Sequence, residues 1–290
     1  MEVILSTLIN GLSLGGIYAM IALGYTMVYG IAKMLNFAHG DIIMVGGYVI
    51  FVAMAANNPL LAILAAVIAC VVLGVVIEKV AYRPLRGASP LAVLITAIGV
   101  SYLLQSLAQI IFGAAPKMVT VYEFGSVSFM GVTVQVSSLV TLVVTVAVMA
   151  VLTLFVKYTR LGRAMIAVSE DRAAAQLMGI NVNGIITLTF AIGSSLAALA
   201  SLFYLLMAPN VFSTMGAMPG IKAFTAAVIG GIGSIPGAML GGILLGVVES
   251  ISLKITAIAP YTDAIEFSIL ILILLVRPTG FLGKKRREKV

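Results

Sequence analysis

Residues 60–77 read LLAILAAVIACVVLGVVI, and this stretch holds the pattern that decides the fold. It carries no charged side chain, and a membrane-spanning helix needs about 20 mostly apolar residues. Such runs recur near 6–31, 41–57, 60–82, 90–112, 136–157, 184–207, 222–234, 237–255 and 263–277. They predict an all-α, polytopic membrane bundle with about 8–10 transmembrane or broken helices, because lipid accepts only internally bonded backbone. We expect residues 1–290 to form a single transmembrane domain.

The composition excludes several classes of protein. Of the 290 residues, 62% are hydrophobic and only 9% are charged, whereas roughly 25% of a soluble domain is charged. So few charges cannot cover a soluble surface, which excludes a cytosolic enzyme, a nucleic-acid-binding protein and a disordered chain. The single cysteine, Cys70, and the single histidine, His39, exclude a cysteine-based or multi-histidine metal site. An intramembrane enzyme would need clustered catalytic residues, and the sequence offers none, so we expect no catalytic residues and no bound metal.

The positive charges predict the orientation in the membrane. Most of them gather in three regions that an even number of crossings separates, and the positive-inside rule places all three in the cytoplasm. The N-terminus is then expected outside and the C-terminus in the cytoplasm. Residues 113–135 form an outward loop whose alternating apolar residues predict a small hairpin. The basic residues of these three regions are Lys79, Arg83 and Arg86; Lys157, Arg160, Arg163 and Arg172; and Arg277, Lys284, Lys285, Arg286, Arg287 and Lys289.

Glycine spacing predicts closely packed helices and one broken helix. Residues 222–234 are short for a span, and Pro236 disfavours helix just before it, so a break is expected within 230–237. Small residues every fourth position let helix backbones approach closely in lipid. A second interpretation is a helix face that slides during gating. The repeated small residues are Gly11, Gly15 and Ala19; Gly233, Gly237 and Gly241; and Gly242 and Gly246.

Polar residues interrupt the apolar runs at 35–41, which read LNFAHGD. One interpretation is structural, with Asp41 as the N-cap of the next helix. The other is a discontinuous helix that lines a translocation path, although an ionised Asp41 would oppose a substrate carboxylate at that helix N-terminus. Glu249 is isolated in its apolar run, and it is either hydrogen-bonded to a neighbouring helix or a proton-coupling group. The Glu78 side chain is expected to extend (snorkel) to the membrane–water interface. The candidate path residues are Asn36, His39, Gly40, Asp41, Gly231 and Gly233.

The longest cytoplasmic loop, residues 157–183, predicts a short helix of its own. Ser169 is a suitable N-cap, Glu170 and Asp171 suit the first turn, and Gly179 suits the C′ position. So short a helix is marginal in isolation, so it must dock either on its own bundle or on another subunit.

Several motifs resemble one transporter family. The pattern RxGRA at 160–164, AxxED at 167–171 and AxxxGIN at 175–181 is similar to the coupling loop of ABC-importer permeases. The segments GYTMVYG at 24–30, NFAHG at 36–40, EKVAYRP at 78–84, KAFTAAV at 222–228, GGIGSIPGA at 230–238 and PTG at 278–280 extend the resemblance in order. The chain resembles the H-type permease subunits of the branched-chain (leucine/isoleucine/valine) amino acid ABC importer family. Asp41 stands where some members have glutamate, and residues 113–135 match least.

The resemblance implies a division of labour. The chain is expected to form half of a translocation path in a bacterial inner (plasma) membrane, beside a companion permease subunit and an extracytoplasmic amino-acid-binding protein. Two ATP-binding subunits would act through residues 162–179 and would hold ATP and Mg, with no cofactor on this chain. The sequence agrees, because it lacks a phosphate-binding GxxxxGK[ST] motif. The implied coupling residues are Arg160, Gly162, Arg163, Ala164, Glu170, Asp171, Ala174 and Gly179.

A self-contained secondary transporter or channel is the alternative to this assignment. It would need coupling groups inside the membrane, for which Asp41, His39 and Glu249 are the candidates.

Overall fold

The computed structural model describes residues 2–122, 124–129 and 132–283, and most of these residues are helical. The helices of this part are α1 (Glu2–Ala32), α2 (His39–Ala53), α3 (Pro59–Ile77), α4 (Pro90–Phe112), α5 (Val136–Tyr158), α6 (Arg160–Glu170), α7 (Arg172–Leu177), α8 (Val182–Met207), α9 (Ala217–Gly230), α10 (Ile235–Lys254) and α11 (Thr262–Val276). The strands are β1 (Lys117–Met118), β2 (Ser126–Phe129), β3 (Val132–Gln135) and β4 (Asn210–Val211). A π-helical turn, Glu78–Tyr82, continues α3.

In the described residues, 8 segments are long and apolar enough to cross a membrane, and α9 is a shorter apolar helix. The all-α, polytopic bundle of transmembrane and broken helices is therefore confirmed. The 8 segments are Ile4–Ala32, His39–Ala56, Pro59–Leu85, Pro90–Phe112, Val136–Tyr158, Val182–Met207, Ile235–Lys254 and Ala259–Val276.

The bundle has two distinguishable ends. Helix α5 follows β3 and precedes α6, so the hairpin and the 157–183 segment lie at opposite ends. We call them the hairpin end and the coupling end. Strands β2 and β3 pair antiparallel with Val127 opposite Val134, which confirms the predicted hairpin. Among the residues predicted to be cytoplasmic, Lys284, Lys285, Arg286, Arg287 and Lys289 lie outside the described residues.

Helix α1 forms the centre of the bundle. Its residues 17–23 are all buried, and it packs against α5, α8, α9 and α10. The outer helices instead leave large apolar side chains uncovered: Ile110 of α4 is 79% exposed and Val143 of α5 is 68% exposed. Such surfaces are typical of helices that face lipid, where apolar exposure carries no penalty.

The predicted close packing is confirmed for the glycines of α1 and α10, whereas Gly233 lies in the turn before α10. A Cβ atom added to Gly15 of α1 would lie 2.7 Å from Ile243 Cα of α10, and one added to Gly11 would lie 2.9 Å from Val247 Cα. Gly241 of α10 meets the backbone of Ala226 in α9 in the same way. Glycine is required here because no side chain fits between the backbones. Sliding of these faces during gating stays a prediction.

The predicted break between two helices is also confirmed. Helix α9 ends at Gly230, and α10 begins at Ile235 with Pro236 in its first turn. Gly231 (φ 103°) and Gly233 (φ 94°) adopt backbone conformations that side chains disfavour. The Ser234 side chain caps α10 by accepting a hydrogen bond from Gly237 N at 3.2 Å.

Candidate functional site

The coupling segment, residues 157–183, folds as two helices rather than one. Thr159 caps α6 because its hydroxyl accepts a hydrogen bond from Gly162 N at 2.9 Å. Asp171 is extended, so it ends α6, and it caps α7 by accepting from Ala174 N at 3.0 Å. Gly179, with φ 81°, follows the end of α7, as predicted.

The prediction of Ser169 as the N-cap was wrong. Ser169 and Glu170 lie in the last turn of α6. The Ser169 hydroxyl donates to Ile166 O at 2.7 Å instead of capping the start of a helix. The reason is the apolar period of the preceding residues: Gly162, Met165 and Val168 are all buried on one face, so the helix begins earlier.

The coupling segment has a buried face and an outer face. Gly162 lies directly against α5, where an added Cβ atom would stand 2.5 Å from Val156 Cα. Gly162 is therefore a packing residue, and Ala164 is half-buried. The other predicted coupling residues, Arg160, Arg163, Glu170, Asp171, Ala174 and Gly179, are exposed. Two apolar side chains stand at the tip of this surface, with Leu177 89% exposed and Met178 83% exposed.

Residues 33–38 return into the bundle, so α2 begins inside it. Lys33 adopts a left-handed conformation (φ 54°) and ends α1, and Asn36 and Ala38 are buried. His39 packs against the backbone of Gly24. Gly24 lies about two turns before Ala32, the residue at which α1 ends, so His39 lies inside the bundle. Its ring lies edge-on to Tyr25, with 4.9 Å between centroids. The helix is therefore discontinuous between Ala32 and His39, whereas its lining of a translocation path stays a prediction.

Asp41 does not cap α2, and that interpretation was wrong. The N-cap is Ala38, which has no side-chain cap, and Asp41 lies in the first turn. Its Oδ1 accepts a hydrogen bond from Gln105 Nε2 of α4 at 2.8 Å. This amide supplies a partner from another helix, which a local sequence pattern cannot reveal.

The starts of α2 and α9 contact each other. Gly40 packs against the backbone at the start of α9: a Cβ atom added to it would lie 3.2 Å from the Gly216 carbonyl carbon and 3.3 Å from Gly220 Cα. Neither helix start has a side-chain cap.

Gly231 and Gly233 have different neighbours from the 36–41 segment. The chain after α11 pairs with this turn, since Phe281 N donates to Ile229 O and Leu282 N donates to Gly230 O, each at 2.9 Å. The six candidate path residues therefore fall into two groups, one at the starts of α2 and α9 and one at the turn between α9 and α10.

A cavity of about 820 Å³ opens at the coupling end. It lies between the last turns of α1, the helix α6 and the turn between α9 and α10. Gly30, Glu170 and Gly233 all line it. One predicted coupling residue, Glu170, and one candidate path residue, Gly233, therefore border the same space.

Glu78 belongs to a buried polar network, so the prediction that it snorkels was wrong. Its side chain is fully buried, forms an ion pair with Arg86 and accepts a hydrogen bond from Thr187 Oγ1 at 2.7 Å. Arg86 also donates to Asn183 at the start of α8. Tyr82, in the same π-helical turn, donates to Asn36 Oδ1 at 2.8 Å. The turn is held by α8 and by the re-entrant residues.

A second network, which we call the ion cluster, joins α9, α10 and α11. Lys222 Nζ lies 2.8 Å from Glu249, 2.9 Å from Asp263 and 3.3 Å from Glu266. The side chains of Lys222, Glu249 and Glu266 are 7%, 13% and 0% exposed, whereas that of Asp263 is 54% exposed. Tyr18 of α1 donates to Glu249 Oε2 at 2.7 Å.

The sequence did not predict the ion cluster, because its four residues come from three separate helices. The available signal was that lysine and glutamate each stood isolated in different apolar runs, where opposite charges tend to pair. Within the described residues, no acidic, histidine or cysteine group is arranged to hold a metal ion.

Comparison with known proteins gives a consistent match. The family described as branched-chain amino acid transport system, permease component, matches residues 7–274. The chain is 46% identical to the high-affinity branched-chain amino acid transport system permease protein BraD of Pseudomonas aeruginosa, over 99% of this chain and 98% of that protein. It is 43% identical to the corresponding protein LivH of Escherichia coli K12, over 99% and 97%. A solved structure of PsaBC from Streptococcus pneumoniae overlaps 96% of this chain and 91% of its own, with 14% identity and a TM-score of 0.44.

Proposed function

The chain belongs to the family of branched-chain amino acid transport system permease components, and we propose from this premise that it forms half of the translocation path of an ATP-driven importer for branched-chain amino acids. It is a transport subunit rather than an enzyme. The observation that carries the proposal is the near-complete alignment with BraD, which includes both the membrane helices and the coupling segment.

The partners follow from the same proposal. A companion permease supplies the other half of the path, and two ATPase subunits dock on the coupling segment and hold ATP and Mg. An extracytoplasmic binding protein delivers the amino acid. The exposed tip of α7 supports docking, because covering an aliphatic side chain such as Leu177 contributes roughly 1.5–3 kcal/mol.

The proposed path runs past both groups of candidate residues. Asn36, His39, Gly40 and Asp41 lie where α2 and α9 begin inside the bundle, and Gly231 and Gly233 lie at the turn beside the cavity. Apolar lining such as Met27 and Ile232 suits an aliphatic side chain. The cavity also borders α6, so a movement of the coupling segment would change its shape.

A direct test is to purify the tagged chain in mild detergent and then reconstitute it. We expect an ATPase and a second permease chain to co-purify in fixed ratio, and uptake into liposomes to require ATP and the binding protein. A chain that purified alone and transported solute without ATP would support the secondary-transporter alternative instead.

Introducing a negative charge at the tip of α7 is expected to disrupt coupling. Leu177→Asp and Met178→Asp should each reduce ATP-driven uptake by about tenfold or more, because a desolvated carboxylate at an apolar contact costs more than 1.4 kcal/mol. Gln176→Asp is the matched control, since it adds the same charge at an adjacent exposed polar position. Equal losses in all three variants would contradict an apolar contact at residues 177–178.

We propose that the coupling end faces the cytoplasm and that the N-terminus faces outward, in a bacterial inner membrane. The basic residues at the coupling end support this orientation. A membrane-impermeant thiol reagent is expected to label Ser126→Cys on β2 in intact cells, and Ala173→Cys on α7 only after permeabilisation. The native Cys70 is buried and gives a low background. Labelling of Ala173→Cys in intact cells would reverse the orientation.

A further inference from the structure

Arg172, at the start of α7, contacts the C-terminal end of α1. The sequence motifs do not indicate this contact. One terminal nitrogen, Nη2, donates a hydrogen bond to Ile31 O at 3.0 Å and a second to Ala32 O. This nitrogen carries two hydrogens, so both are used. The two carbonyls belong to the last turn of α1, whose C=O groups have no partner within the helix.

The charge of Arg172 also suits this position. The C-terminal end of a helix carries a partial negative charge. Helix α1 has no basic residue in its own last turn, and Lys33, the next residue, donates to Gly30 O. Arg172 supplies a cation from 140 residues away in the chain. Burial lowers the pKa of the Arg172 guanidinium below its usual value, and the positive charge of Arg86 adds to this decrease. The two hydrogen bonds nevertheless place Arg172 at the α1 end.

The residues that Arg172 holds are the start of the re-entrant segment. Ile31 and Ala32 precede Lys33, where the backbone turns into the left-handed region and enters the bundle. Asn36, further along, is held by the Tyr82 hydroxyl at 2.8 Å. This segment leads into His39 and Asp41, so its position determines where α2 begins.

We propose that Arg172 is the positioning residue that transmits movement of the coupling segment to α1 and to the start of α2. The proposal rests on the proposed function, in which ATPases move the coupling segment. It assigns Arg172 a different part from the exposed residues of the same segment: it contacts the permease rather than the ATPase. Asp171 supports this arrangement, because its cap fixes the kink from which the Arg172 side chain extends.

The test compares uptake with ATP hydrolysis in the assembled, reconstituted complex. Arg172→Gln is expected to retain ATPase binding and ATP hydrolysis while uptake per ATP falls by about 5- to 150-fold, the range typical of coupling between sites. Arg172→Lys should be intermediate, because lysine keeps the charge but lacks the planar guanidinium. Arg83→Gln is the matched control: it removes the same kind of side chain from an exposed position at the same end, outside the coupling segment.

A second measurement does not depend on uptake. A spin label on Leu35→Cys reports the position of the re-entrant segment, with buried Cys70 giving little background. Adding ATP to the complex is expected to change the spectrum of this reporter, and Arg172→Gln should abolish that change while Arg83→Gln preserves it.

Three results would overturn the proposal. These are unchanged uptake per ATP in Arg172→Gln, an ATP-dependent signal at Leu35 that persists in Arg172→Gln, and loss of ATPase binding by Arg172→Gln, which would make Arg172 a docking residue. Failure of the proposed function looks different, because then neither the unmodified complex nor any variant would bind an ATPase or require ATP for uptake.

Discussion

Lys222→Met is expected to prevent the folded permease from accumulating in the membrane. The substitution removes the only cation of the ion cluster and leaves Glu249 and Glu266 buried without it. Removing one partner of a buried pair costs about 3–5 kcal/mol, because the remaining charge is desolvated and unpaired. The net stability of a folded domain is itself only about 5–15 kcal/mol. Asp263 contributes less, since its side chain is 54% exposed and remains solvated.

The measurement is the amount of monodisperse protein after detergent extraction, followed by its thermal unfolding. Lys254→Met is the matched control, because Lys254 is exposed at the end of α10. Adding Glu249→Gln and Glu266→Gln to Lys222→Met should restore part of the folded protein, because no unpaired buried charge remains. Normal accumulation and unfolding of the Lys222→Met single variant would show that the ion cluster does not stabilise the bundle.

Gly246→Leu is expected to separate α1 from α10 and to abolish transport. A Cβ atom added at Gly246 would lie 2.7 Å from Gly11 O and closer still to the backbone of Gly15. These neighbours are backbone atoms, which cannot rotate away as a side chain would. Overpacking costs typically about 1–3 kcal/mol and occasionally more, and here it falls where α10 packs against the central helix α1.

Gly99→Leu is the control for Gly246→Leu. Gly99 lies on the exposed side of α4, and an added Cβ atom meets nothing within 4 Å. This variant should accumulate and transport as the unmodified protein does, because a glycine in an exposed helix position contributes no packing. If Gly246→Leu matched Gly99→Leu in unfolding temperature and in uptake, close approach of α1 and α10 would not be required.

The sequence alone determined the class of the protein, because the responsible signals are local. An apolar run long enough to span lipid predicts a helix whatever its neighbours are, and Pro236 marks the break before α10 because its ring acts on adjacent backbone. The alternation around Val127 predicted the hairpin for the same reason. Glycine spacing correctly predicted close packing, since Gly11 and Gly15 leave a groove on α1 that another helix backbone can enter.

In the coupling segment, the capping rules predicted the correct type of N-cap residue but the wrong position. Thr159, Ser169 and Asp171 are all suitable N-caps, and each fits a local pattern. The choice fell to Thr159 and Asp171 because burying Met165 and Val168 against the bundle extends α6 across residue 169.

Only the tertiary structure decided which polar groups meet. Asp41 and Gln105 are 64 residues apart, Glu249 and Lys222 are 27 apart, and Arg172 and Ala32 are 140 apart. A buried polar group must find a partner, but several helices offer one, and the choice depends on which helix faces it after packing. The sequence therefore shows which polar groups are unfavourable in lipid. The packing of the helices determines the partner with which each of them forms a hydrogen bond or ion pair.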